Sequence, residues 1–293
     1  MHYRAAIMKA STPLPRRISR KIWKSVLGER SWIERHEDFR TRERHGLVDR
    51  ANYAYGMLRA ADCARYFGHE AVTVIEFGVA SGAGLLNMAN LAGMIEAETG
   101  VHFRVVGFDT GAGLPEIQGY KDHPEIWNAG DFAMEDRSAL TRKLGDKAEI
   151  VWGDIAQTIG PFASQLSADS PIGFVSVDVD IYSATRAALQ LLDQAAEFYL
   201  PAISLYFDDV SFFFANRWAG ELLAIDEFNA AHEARKIDLD HSVGQGRVPQ
   251  SSGWHRHMYV CHVLDHPARC SPKNRPQLTI SEHHNFMKAH SLY

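Results

Sequence analysis

Glu76-Phe77-Gly78-Val79-Ala80-Ser81-Gly82-Ala83-Gly84 decides the fold. The apolar run Val72–Phe77 leads into it, is flanked by glycine, and has the length of a strand buried on both faces. A helical pattern follows from about Gly84 to Glu98 and is closed by Gly100. Glycines at the turn let the chain reverse tightly and let a ligand approach the backbone. The start of the helix leaves free N–H groups that suit an anion. A dinucleotide fingerprint needs glycines spaced G-x-G-x-x-G, and Asn87 stands where the third would fall. The spacing is instead acid-x-Gly-x-x-x-Gly-x-Gly, with Glu76 at the strand end.

Working outward, strands and helices alternate. Phe103–Phe108 reads as a second strand, and residues 110–130, rich in Gly, Pro and Asp, as a long loop over a sheet edge. Asp131–Leu144 reads as helix and Ile150–Trp152 as a third strand. Ile172–Val177 is a fourth strand, Ser183–Phe198 a helix, Ile203–Phe207 a fifth strand, and Trp218–Ala234 a helix. Lys236–Leu239 and Met258–Leu264 complete the set, joined by a stretch with no helical pattern. This alternation implies a mainly parallel sheet with helices on both faces. The helix-free final connection implies an antiparallel ending, because a parallel crossover needs a helix. Upstream, Lys21–Phe67 is mostly helical with a break near Gly46. Met57, Ala60, Ala61 and Ala64 share one helical face there, and Gly68 ends it. The division expected is a basic helical arm at 1–65, a domain at 66–265 and a tail at 266–293.

Composition narrows the function. The net charge is −5, which disfavours a general nucleic-acid binder. Residues 1–50 nevertheless hold 13 Lys or Arg against 6 Asp or Glu, a local balance of +7. The basic stretch Arg16–Lys24 is expected to be a solvated arm. Cys63, Cys261 and Cys270 have no framework or zinc spacing, so a reducing cytoplasm is expected, with Cys63 and Cys261 as small core residues. No run approaches the roughly 20 apolar residues of a membrane span.

Several acidic residues fall at strand ends. Asp109 ends the second strand, where an acid can accept hydrogen bonds from ribose hydroxyls or cap a loop. Gly153-Asp154 follows the third, with Asp154 placed to meet an exocyclic amine and Trp152 to flank a base, or both to serve as turn and core residues. The fourth strand runs into Asp178-Val179-Asp180 and the fifth into Asp208-Asp209. Period-two spacing lets Asp178 and Asp180 face one way. Asp208 and Asp209 converge only if the strand ends before them. Clustered carboxylates repel unless protonated or joined by a cation, and an all-oxygen set suits Mg²⁺ or Ca²⁺. The bland alternative is a set of capping aspartates.

Glu76–Gly84, Asp109 and Gly153-Asp154 together resemble the successive cofactor motifs of class I S-adenosylmethionine-dependent methyltransferases over roughly residues 50–265. The resemblance implies a Rossmann-like, seven-stranded, mostly parallel sheet of order 3-2-1-4-5-7-6 with strand 7 antiparallel. It implies cofactor-binding roles for Glu76, Gly78, Ser81, Gly82, Gly84, Asp109, Gly153, Asp154 and Asp178. The turn would hold the methionine part, Asp109 the ribose, and Asp154 the adenine side. Asp178-Val179-Asp180-Ile181-Tyr182-Ser183-Ala184-Thr185 with Phe207-Asp208-Asp209, and the loop Gly107–Glu116, are similar to the macrocin O-methyltransferase family. That family implies a divalent metal on Asp180, Asp208 and Asp209; Mg²⁺ is the ion expected, and Asp180 is expected to act as catalytic base. It commonly carries glycine where this chain has Val179. The function implied is metal-assisted O-methylation of a small hydroxylated acceptor, such as a sugar or a glycosylated product. The alternatives are a nicotinamide-dependent oxidoreductase and a non-catalytic cofactor-binding scaffold. His255 and His257 are expected to be polar positions of an edge strand. Phe212, Phe213 and Phe214 could cover an acceptor, fill the core or make a homo-oligomer contact.

Overall fold

The computed structural model describes residues 28–270 and 277–289. The stretch Arg16–Lys24 lies outside them. Seven strands form one sheet: β1 (Ala71–Phe77), β2 (His102–Asp109), β3 (Glu149–Trp152), β4 (Ile172–Val177), β5 (Tyr199–Phe207), β6 (Arg235–Leu239) and β7 (Met258–Val263). Their order is β3-β2-β1-β4-β5-β7-β6. The five strands β1 to β5 pair in parallel, whereas β7 runs antiparallel to both β5 and β6. The expected order and the reversed last strand are both present.

Helices cover both faces. On one face lie α3 (Ala51–Phe67) and α4 (Ala83–Thr99), preceded by the short α1 (Glu29–His36) and α2 (Phe39–Arg44), with α5 (Arg137–Leu144) beside α4. On the other lie α6 (Ile155–Ala163), α7 (Tyr182–Leu189) and α8 (Gly220–Ala231). Strand side chains alternate between the two cores. Val72 and Val74 join the first with Tyr53, Met57 and Leu85, and Ile75 and Phe77 join the second with Phe162, Leu189 and Phe228. The face predicted for α3 is the buried one, because Met57, Ala60, Ala61 and Ala64 are all at 1% exposure or less. Thus α3 belongs to the sheet's core, although it precedes residue 66. Gly68 caps it in a left-handed conformation, φ 87°. The tail adds α9 (Pro267–Cys270) and α10 (Ile280–Ala289), whose Phe286 ring meets Tyr66.

Three helix expectations need correction. The helix predicted from Asp131 begins only at Arg137, where Asp136 caps it by accepting the Ala139 N–H at 2.8 Å. Residues before it form turns instead, with Phe132 at φ 62°. The helix α6 was not anticipated: it is short and contains Gly160 and Pro161, which mask its apolar face of Ile155, Ile159 and Phe162. The helix predicted over Ser183–Phe198 stops at Leu189 and gives way to two 3-10 turns, Gln190–Asp193 and Ala196–Phe198. The fifth strand accordingly starts at Tyr199, before Pro201. Among the described residues no helix is long and apolar enough to cross a membrane.

Candidate functional site

A cavity of 480 Å³ opens at the carboxyl ends of β1, β2, β4 and β5, a volume suited to a drug-sized ligand. Parallel α/β sheets place ligands at this edge, where the strand order reverses beside β1 and β4. Its wall includes Glu76, Gly78, Ser81, Gly84, Asp109 and Asp154, and also Asp178, Asp180, Asp208 and Asp209.

The turn between β1 and α4 is built by steric need. Gly78 has φ 85°, and a Cβ there would lie 1.7 Å from the Asp178 carbonyl oxygen. Gly84 lets the helix start pass over Glu76, whose Oε1 would stand 1.9 Å from a Cβ at that position. Gly82 serves packing, because its Cβ position meets Leu140 of α5 at 2.2 Å and it does not line the cavity. Ala80 is left-handed at φ 45°, a conformation that non-glycine residues adopt at a cost and that collects at ligand sites.

Asp109 organises this turn. Its Oδ2 accepts the N–H groups of Val79 and Ala80, both at 2.8 Å, and its Oδ1 accepts that of Gly111. One carboxylate therefore ties the turn after β1 to the loop after β2, while still lining the cavity. Asp154 likewise has a structural duty, capping α6 through the Ala156 N–H at 2.8 Å. Gly153 donates its N–H to the Asp109 carbonyl at 3.0 Å and lies behind the cavity wall. Trp152 is turned away from the cavity, with the Arg137 guanidinium 5.1 Å from its ring centre.

Glu76 is 1% exposed. Its Oε1 accepts from the Tyr53 hydroxyl at 2.6 Å, which in turn accepts from Ser176 Oγ at 2.9 Å. Its Oε2 is buried and has no partner. Burial pushes its carboxyl up to about 8, against the lowering effect of Tyr53 and of the more distant Arg50 charge. Arg50, a left-handed residue at the start of α3, lines the cavity. It was not anticipated, since nothing local distinguishes it from the other N-terminal arginines.

The aspartates gather at the ends of β4 and β5. Because β5 ends at Phe207, Asp208 and Asp209 escape strand alternation and both reach the cavity. Carboxylate oxygens of Asp178, Asp208 and Asp209 lie within 4.8 Å of one another. Asp180, expected among the metal ligands, lies beside this group in the cavity wall, with its backbone left-handed at φ 64°. Burial and then neighbouring negative charge raise Asp178 and Asp180 to about 7 and Asp209 to about 8. Asp209 Oδ2 is buried without a partner. Glu221, fully buried on α8, accepts the Asp209 N–H at 2.8 Å, and burial holds its carboxyl well above the usual range. Sequence reasoning missed Glu221, because its role depends on where α8 docks. A set of three oxygen donors with an unpartnered buried oxygen fits a hard divalent cation.

His257 packs against β5, with Nδ1 2.9 Å from the Phe207 carbonyl, Nε2 2.7 Å from Ser211 Oγ, and the ring stacked on Tyr206. Neither it nor His255 lines the cavity.

No protein-family model matches this chain, and no curated protein matches it. Solved structures do. The chain is similar to CalS11, calicheamicin methyltransferase, with 17% identity over 90% of this chain and 100% of that one, at a TM-score of 0.51. The fold is the Rossmann-like methyltransferase fold. The O-methyltransferase NovP is also similar, with 15% identity over 72% of this chain and 79% of that one, at a TM-score of 0.48.

Proposed function

We propose that this chain is an S-adenosylmethionine-dependent methyltransferase that methylates a hydroxyl of a small acceptor with the help of a divalent cation. The reading rests on one observation: a single cavity brings the glycine turn, Glu76, Asp109 and Asp154 beside the carboxylates of Asp178, Asp208 and Asp209. A sugar or a glycosylated product as acceptor follows from the resemblance of Asp178–Thr185 and Phe207–Asp209 to the macrocin O-methyltransferase motifs.

The residues divide the work. The unpartnered Oε2 of Glu76 is placed to take the N–H of a ligand ammonium. The backbone from Gly78 to Gly84, with Ser81, lies along the methionine part. Asp109, after serving three loop N–H groups, keeps a lone-pair site on Oδ1 for a ribose hydroxyl. Asp154 flanks the adenine side. Bound S-adenosylmethionine supplies an activated methyl, so the protein's main task is in-line alignment of acceptor and donor. Asp178, Asp208 and Asp209 would hold the cation, which lowers the pKa of a hydroxyl near it. Asp180, beside them in the cavity wall, takes the hydroxyl proton as that oxygen attacks the methyl.

Calorimetric titration with S-adenosylmethionine and S-adenosylhomocysteine, each with and without Mg²⁺, tests the reading. Micromolar binding of both is expected. A folded protein that binds neither overturns it.

A further inference from the structure

The cavity wall is acidic with a single exception. Among the described residues that line it, eight are Asp or Glu, and Arg50 is the one Lys, Arg or His. Topology explains its place. Helix α3 runs back along β1, and the Tyr53 hydroxyl near its start reaches Glu76 near the strand's end. The start of α3 therefore stands at the carboxyl edge of the sheet, and Arg50 opens it in a left-handed conformation, φ 46°.

Arg50 and Tyr53 are one helical turn apart and share a face. The Arg50 guanidinium carbon lies 5.3 Å from the Tyr53 ring centre, a cation–π distance. The Tyr53 hydroxyl donates to Glu76 Oε1 at 2.6 Å. The same tyrosine thus carries Arg50 on its ring and orients Glu76 with its hydroxyl. Arg40, Arg235 and Arg247 each close on a carboxylate. Among the described residues, by contrast, no hydrogen bond or ion pair holds the Arg50 guanidinium. Its donors are left for a ligand.

S-adenosylmethionine carries one anionic group, the α-carboxylate, on the same carbon as its ammonium. A carboxylate that enters among so many acids is repelled unless a cation meets it. We infer that Arg50 binds the α-carboxylate of the cofactor, so that Arg50 and Glu76 clamp the two charges of its amino-acid head. This rests on the methyltransferase reading, which gives the ammonium to Glu76. A guanidinium pairs with a carboxylate through parallel, charge-assisted hydrogen bonds, which makes the contact directional as well as strong. The clamp selects cofactors that carry the carboxylate and discriminates against those that keep only the ammonium, ribose and adenine. The competing holder of the carboxylate is the backbone at the start of α4, whose N–H groups also suit an anion.

The test titrates S-adenosylhomocysteine and its decarboxylated analogue, which keeps every other group, into wild type, Arg50→Met and Arg50→Lys by calorimetry. Arg50 is exposed, so both variants are expected to fold, which a thermal scan verifies. Wild type should bind S-adenosylhomocysteine about tenfold or more tighter than the analogue. Arg50→Met should lose that preference by weakening S-adenosylhomocysteine alone, with the analogue bound as in wild type. Arg50→Lys should keep a reduced preference, since the charge remains and the fork is gone. A wild type without the preference overturns the inference. So does a preference that Arg50→Met leaves intact, which gives the carboxylate to the α4 backbone, or an equal weakening of both ligands, which makes Arg50 a general part of the wall. If wild type binds neither ligand, the methyltransferase reading is itself overturned, and the inference with it.

Discussion

Glu76 is costly to the ligand-free protein whenever it is charged. Burial raises its carboxyl to about 8 in the fold from an ordinary 4.5, so the folded state holds its proton over a pH range where the unfolded chain has released it. Stability from this group is therefore complete below about pH 4.5 and is lost as pH rises through about 8. Asp178, Asp180 and Asp209 act with the same sign. Thermal unfolding of ligand-free protein should show a fall in Tm between pH 6 and pH 9, and Glu76→Gln should make that fall shallower. The same variant should weaken S-adenosylmethionine binding by about tenfold or more, because a charged hydrogen bond is lost. Gly78→Ala is a harsher change. It forces a Cβ against the Asp178 carbonyl at a positive φ, and the expected cost is about 3 kcal/mol, read by urea unfolding. Most of the cavity's residues were legible because they stand at strand ends. Gly82 and Gly153 were not legible as packing and turn residues, since a glycine's letter does not say whether a ligand or a side chain needs the space. Arg50 and Glu221 carry no local signal at all; their placement depends on how α3 and α8 dock.

At the level of elements, the start of α6 stands at the cavity wall and depends on an aspartate cap. Asp154 caps α6 and also lines the cavity, so its removal mixes two effects. Asparagine caps about as well as aspartate, whereas alanine loses about 1 kcal/mol. Urea unfolding should therefore find Asp154→Ala destabilised by about that amount and Asp154→Asn close to wild type. Any loss of cofactor affinity shared by both variants then reports on the cavity and not on α6. Strands were easier to foresee than helices here. Parallel strands buried on both faces read as unbroken apolar runs, as Ile172–Val177 does. Helix α6 hides its three apolar contacts behind Gly160 and Pro161, and the turns of residues 131–136 look helical because their charged and apolar letters happen to fall in helical spacing.

Across the whole molecule, the acidic cluster joins folding to cation binding. A divalent cation that binds the folded chain alone raises its stability by mass action, and it must displace the protons held by Asp178 and Asp209. Millimolar Mg²⁺ or Ca²⁺ is therefore expected to raise Tm more at pH 8 than at pH 6, and chelator should reverse the effect. Asp209→Asn should abolish the difference between the two pH values. Unchanged Tm with either cation at pH 8 counts against the metal assignment. The strand order itself came from the resemblance, since residue patterns fix which segments are strands but not which are neighbours. The reversal of β7 was the exception, because the helix-free stretch before it left no parallel route.

The Asp109 carboxylate, clasped by N–H groups from the loops after both β1 and β2, has a kinetic meaning. The second of those loops carries Leu114, Trp127 and Phe132, which line the cavity; on the proposed reading they shape the acceptor's entrance. On the proposed methyltransferase reading, a ligand that settles against Asp109 would also steady that entrance, and the order of turnover expected is donor first, acceptor second, methylated product out, and S-adenosylhomocysteine last. Product-inhibition kinetics should then show S-adenosylhomocysteine competing with S-adenosylmethionine but not with the acceptor, and an acceptor that binds equally well to donor-free protein would break the order.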